Sequence, residues 1–129
     1  MKTSELEVQI KAALVGKENL LENLPLRERG IYHYIAPTVE PGRYPIIVYS
    51  PISDVPALSG DNQEIVHVVT IRIHVIASQK RFDLEERNFL AACDLVEEVM
   101  TDLGFVRRQT TSQVEDGKVM KVLDFVKGV

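Results

Sequence analysis

A single cysteine, Cys93, stands in this 129-residue chain, and that scarcity is the first limit the sequence sets. One thiol cannot close an internal disulfide or supply a tetrathiolate metal site, and a reducing compartment suits it. Long apolar runs are missing as well. No stretch approaches the roughly 20 consecutive apolar residues of a membrane span. The first residues carry Glu5 and Glu7 and lack the continuous apolar segment of a secretory leader, so the chain reads as one made and kept on the synthesis side of the membrane. Positive charge is not concentrated anywhere: with a net charge of -4 and no basic stripe, nucleic-acid recognition is not expected.

The usual signatures of chemistry are absent too. His33, His67 and His74 follow no ligand spacing, and His67 and His74 differ in parity on one strand, so they point to opposite faces. Ser50, Ser53 and Ser59 lie in no G-x-S-x-G context, and Asp54 and Asp61 have no evident proton-transfer partner. Gly16-Lys17 lacks the upstream glycine and following hydroxyl residue of a phosphate loop. The expectation is of no catalytic residues, no metal and no cofactor. Cys93 lies within an apolar helical stripe and reads as core filler.

What the chain does have is a well-punctuated order of elements in one domain spanning residues 1–129, with 45% hydrophobic and 26% charged residues to support a folded core. Ser4 with Glu7 reads as a capping box, and Leu6, Ile10, Ala13 and Leu14 give a helical stripe that Gly16 is expected to interrupt before a short turn through Leu20, Leu21 and Leu24. Residues 31–35 and 44–50 read as strands, with Pro45 at a strand start or edge. Residues 65–77 form the clearest strand. Ile65, Val69, Ile71, Ile73, Val75 and Ala77 share one face; Thr70, Arg72 and His74, flanked by Val66, Val68 and Ile76, share the other. Between the last two strands, residues 51–64 hold strong turn chemistry at 59–62 and extend the pair through Ile52 and Val55 into a long projecting hairpin.

Asp83 with Glu86 marks a second helix start, and Phe89, Cys93, Val96, Met100 and Leu103 give its apolar face up to Gly104 as cap. Its other face carries Glu86, Asp94, Glu97, Glu98 and Asp102. A final hairpin turns on Asp116-Gly117, the preferred pair for a type I′ turn, and includes Arg107 and Arg108, which alternation places on opposite faces. The order α-β-β-β-α-β-β predicts an α+β fold: a mostly antiparallel sheet with two main helices on one face. Charge is segregated along it, since residues 83–103 hold seven acidic side chains against Arg87, whereas 104–129 hold five basic against three acidic.

The polar strand face is open to two readings, a solvated sheet surface or a subunit interface. The residues available to such an interface are Asp54, Asp61 and Glu64 on the hairpin, Thr70, Arg72 and His74 on the strand, Glu97 and Glu98 on the second helix, and Arg107, Arg108 and Lys121 on the last hairpin.

In YHYIAP at 32–37, YPIIVYS at 44–50, HVVTIRIHVIA at 67–77 and the closing LGFVRR and DGKVMKVLDF, the chain resembles the tail terminator, or tail completion, minor tail proteins of long-tailed bacteriophages and prophages. The likeness is an ordered set of strands and helices rather than signature residues. It implies a non-enzymatic structural protein that is a monomer alone and a ring of copies, a hexamer, on the tail tube. Its partners would be the tail tube protein and a head-completion or neck protein. Assembly would take place in the host bacterial cytoplasm, and the final location would be the virion tail. The alternative is a small ligand-binding or regulatory α+β domain whose polar sheet face lines a pocket, with an enzyme a more distant third.

Overall fold

The computed structural model describes residues 3–18, 31–35, 44–58 and 64–128. Within them lie α1 (Thr3–Glu18), β1 (Ile31–His33), β2 (Ile46–Leu58), β3 (Glu64–Ser78), α2 (Phe82–Asp102), β4 (Val106–Glu115) and β5 (Lys118–Gly128). This is the expected order of an α+β fold. The strands make one five-stranded sheet in the order β1-β2-β3-β5-β4, antiparallel throughout except for the parallel β1–β2 pair.

β3 is the centre of the sheet because it pairs along most of its length on both sides, from Ile76 opposite Ile46 to Val68 opposite Val55 on β2, and from Ser78 to Val68 on β5. Its strict alternation decides the layering. Val69, Ile71, Ile73, Val75 and Ala77 are fully buried beneath the helices together with Leu6, Ile10 and Leu14 of α1, and with Phe89, Val96 and Met100 of α2. Both helices therefore cover one face. The opposite face has a smaller apolar cluster, in which Tyr44, Ile46, Val48 and Ile76 pack with Tyr32 and Met120. Burying side chains of this size stabilises by about 1.5–3 kcal/mol each, so the helix side supplies most of the cohesion. Cys93 is buried in that layer, and burial pushes its thiol up to about 11, which suits core filler.

Three local expectations are revised. α1 runs through Gly16 without a break: a Cβ there would meet nothing within 4 Å, so the residue is on an open position where the intrinsic cost of glycine, about 1 kcal/mol, is outweighed by the buried stripe. The short turn at 20–24 lies outside the described residues. Ser4 sits inside the first turn of α1 rather than capping it, and Glu7 is engaged by side chains at the end of β1, His33 and Tyr34. At the start of α2 the N-cap is Arg81, with no side-chain cap, and the working carboxylate is Glu85, not Asp83 or Glu86. Glu85 is buried; its Oε1 accepts the Ser78 N–H at 2.9 Å and its Oε2 lies 3.6 Å from Arg81 Nε, tying the end of β3 to the helix that follows.

The other end of α2 is built as the sequence suggests. Leu103 is the C-cap and Gly104 follows at φ 89°; the Gly104 N–H donates to Thr101 O and the Phe105 N–H to Met100 O, the paired bonds of a Schellman motif. Lys127 of β5 completes it by donating from Nζ to the Leu103 carbonyl at 2.6 Å. Asp116 and Gly117 both take positive φ, 51° and 73°, giving the type I′ turn between β4 and β5. Gly104→Ala forces a Cβ into the left-handed region and against Lys127 Cε at 3.4 Å, and should lower unfolding stability by about 1–2 kcal/mol. The check is a lower urea midpoint at unchanged slope.

Candidate functional site

The face of the sheet away from the helices carries a polar row across four strands. Ser50 of β2, Arg72 of β3, Asp124 of β5 and Gln109 of β4 stand directly opposite one another in register. Arg72 donates from Nε to Asp124 Oδ1 at 2.9 Å and from Nη2 to Oδ2 at 3.0 Å, a bidentate pair, and Gln109 Nε2 donates to the same Oδ2 at 2.7 Å. Asp124 is 3% exposed and Arg72 38%, so the carboxylate is enclosed while the guanidinium reaches solvent. The Arg72 hydrogen bonds hold the Asp124 carboxyl below the usual range against the opposing effect of burial, with Gln109 helping. His74, one row further, is pushed down by burial and by the Arg72 cation, with Asp124 opposing.

A bulge sets this row. Regular pairing after Arg107 opposite Phe125 would bring Arg108 to Asp124; the register instead shifts so that Gln109 faces it and Arg108 is the extra residue. Arg107 turns to the helix side and pairs with Glu97 of α2. The acidic helix and the basic hairpin thus partly neutralise each other within one chain. Beside that pair, Glu98, Thr101, Asp102 and Phe125 line an open cleft of about 480 Å³.

Of the remaining residues singled out in the sequence, Thr70 is on the open face but only 3% exposed. Lys121 is half-buried and stands opposite Val75, hence on the helix side. Asp54 pairs with His67 across the projecting hairpin, Oδ1 to Nδ1 at 3.0 Å, a partner that local sequence did not disclose. Asp61 and the side chain of Glu64 lie outside the described residues. His33 and His67 are engaged by different carboxylates, Glu7 and Asp54, and among the described residues no group of three His, Cys, Asp or Glu side chains could hold a metal ion. No helix among them is long and apolar enough to cross a membrane.

Two features were not anticipated. Glu7 of α1 is a hub: Tyr34 OH donates to its Oε1 at 2.8 Å, His33 Nε2 lies 2.7 Å from the same atom, and the His33 ring stacks on Tyr49 at 4.6 Å. Its carboxylate raises the Tyr34 hydroxyl above the ordinary phenol range, and an open groove of about 750 Å³ runs beside it along Val8, Lys11 and Val15. The second feature is exposed apolar surface. Val55 and Val68, directly opposite on the hairpin, are 56% and 41% exposed, and Ile52 and Val106 are exposed as well. Asp124 carried a readable signal, an acid between Leu123 and Phe125 in an alternating strand; its partner 52 residues away did not.

Asp124→Asn removes the charge that Arg72 and Gln109 share. Discounted for the exposure of Arg72, the loss should be about 1–3 kcal/mol at neutral pH. Because the folded carboxyl is depressed, its contribution is full above the unfolded value of about 3.9 and is lost as pH falls through the lower folded value. Urea unfolding across pH should therefore show the gap between wild type and variant closing in acid.

In comparisons with known proteins, no family model matches the chain and no curated protein does. A solved structure does. The fold is similar to that of a chain in the virion of a native gene transfer agent (GTA) particle, at 19% identity and a TM-score of 0.51, over 92% of this chain and 90% of that one.

Proposed function

We propose that this protein is a structural component of a phage-type virion, and more narrowly a tail terminator that caps the tail tube as a ring and joins it to the head or neck. The carrying observation is the end-to-end correspondence of fold with a chain of a virion particle, which spans nine-tenths of both molecules. A shared core motif would match only part of each.

The surfaces agree with an assembly role. Ring closure by identical copies requires two unlike faces that meet head to tail. One candidate is the β2–β3 hairpin. β1 pairs only with 47–49 of β2, and β5 ends at Gly128 opposite Val68, so among the described residues those beyond form a two-stranded ribbon without flanking strands. Such a ribbon is marginal in water on its own. Val55 and Val68 on its surface are the kind of side chains a neighbour would cover. The opposing face would be the acidic side of α2, where Glu86 and Asp94 are exposed. A ligand-binding role is less favoured, because the polar groups that would line a pocket on the open face, Arg72, Asp124 and Gln109, are used on one another.

The test is native mass across a concentration series with and without the cognate tube protein, combined with tube lengths by electron microscopy. Wild type should form a closed ring of about six copies on tube ends and shorten the tubes. Val55→Asp with Val68→Asp should abolish both effects while leaving the circular dichroism spectrum intact. A protein that stays no larger than a dimer with tube protein present, and leaves tube length unchanged, would overturn the proposal.

A further inference from the structure

Among the described residues, the outer edge of β4 is the longest free sheet edge. β4 is the terminal strand of the sheet, and among the described residues no strand pairs with its outer side. All of its residues are exposed except Thr110, which is half-buried. Free edges template pairing with other chains, and proteins usually blunt them with proline, charge or bulges. Here the protection is confined to the two ends, the bulge at Arg107–Gln109 with its two arginines and the charge of Glu115 before the turn. From Gln109 to Val114 the strand is QTTSQV, with no charge, no proline and no glycine.

We propose that β4 is a self-pairing edge, along which a second copy of this chain adds its own β4 antiparallel to form one sheet through both molecules. Three observations select this occupant and its register. The bulge and the turn at Asp116-Gly117 bound a ladder-competent segment, 109–115, whose midpoint is Ser112. Pairing about that midpoint sets Ser112 against Ser112, Thr110 against Val114, Thr111 against Gln113 and Gln109 against Glu115. Each of these pairs joins side chains of the same face, since Thr110, Ser112 and Val114 stand opposite Leu123, Lys121 and Val119 on the helix side, while Gln109, Thr111 and Gln113 belong to the open face. The flanks are complementary in charge: Arg108 precedes the segment and Asp116 follows it, so antiparallel pairing brings Arg108 towards Asp116 of the second copy at both ends. Parallel pairing would set like charges together, which is unfavourable. The backbone ladder supplies the attraction and the charges supply the direction.

This contact uses neither the β2–β3 ribbon nor α2, so it stands or falls apart from the ring. Because the only native cysteine is buried, a new one reports cleanly. In the proposed pairing, two Ser112→Cys chains have facing thiols and should cross-link under mild oxidation. Two Gln109→Cys chains should not, because at roughly 3.3 Å per residue their positions lie about 20 Å apart. Sedimentation equilibrium of the wild type should show a monomer–dimer equilibrium in the micromolar range. Ser112→Lys, which places two lysines opposite each other, should weaken it by at least about tenfold. The Val55→Asp, Val68→Asp variant should dimerise as wild type does. A wild type that is monomeric throughout, a dimer indifferent to Ser112→Lys, or equal cross-linking at 109 and 112 would each overturn the proposal. The last outcome would point to parallel pairing, and the first to an edge reserved for a strand of another protein.

Discussion

A carboxylate enclosed on a sheet face is costly unless its charge is met in place, and that condition ties three strands of this protein together. Asp124 receives both arms of Arg72 from β3 and the amide of Gln109 from β4, each directly opposite it in register. A one-residue slip of β5 would send Asp124 into the apolar layer under the helices and bring Leu123 or Phe125 out in its place. Apolar burial alone would tolerate many near-equivalent packings; the ion pair admits one register. The bulge at Arg108 belongs to the same device, since without it an arginine, not Gln109, would face Asp124. The helix-side layer rests on that register, and so does the placement of Arg107 against Glu97.

Carboxylates recur at the joints of the fold. Glu85 holds the end of β3 to the start of α2, and Glu7 holds α1 to the end of β1 through His33 and Tyr34. At the far end of α2, where carbonyls are left without partners, a cation serves instead: Lys127 reaches the Leu103 oxygen beside the Schellman turn. Each joint links elements that hydrophobic contact would leave free to slide.

How much of this could be read from the sequence follows from the range of each interaction. The alternation of 65–77 has period two and is local, and β3 is found at Glu64–Ser78 with Val69, Ile71, Ile73, Val75 and Ala77 on the predicted face. Asp116-Gly117 needs only its own two φ angles, and the hairpin is where the pair puts it. Cys93 follows from helical spacing and is buried. What failed were readings in which a local motif competed with a distant partner. Ser4 with Glu7 has the spacing of a capping box, yet Glu7 is taken by His33 and Tyr34, 26 and 27 residues away. Gly16 looks like a break only if the buried stripe beside it is ignored. The interface residues were chosen by type and exposure pattern; Asp54, Arg72, Glu97 and Arg107 among them have partners within the chain that no spacing rule reveals.

The same distinction explains why the chain matches no family model and no curated protein while its fold matches a virion chain from end to end. A core of this kind accepts many apolar side chains of the right size, provided the pattern is kept. Contacts made by a strand edge or a projecting ribbon are carried largely by backbone hydrogen bonds and shape, which many sequences can present. Under the proposed assembly role, carried by the edge of β4 and the β2–β3 ribbon, most side chains can therefore change while the surfaces that matter stay in place. Similarity then survives in the course of the backbone after it has faded from the residues, and the fold is the level at which such a chain can be placed.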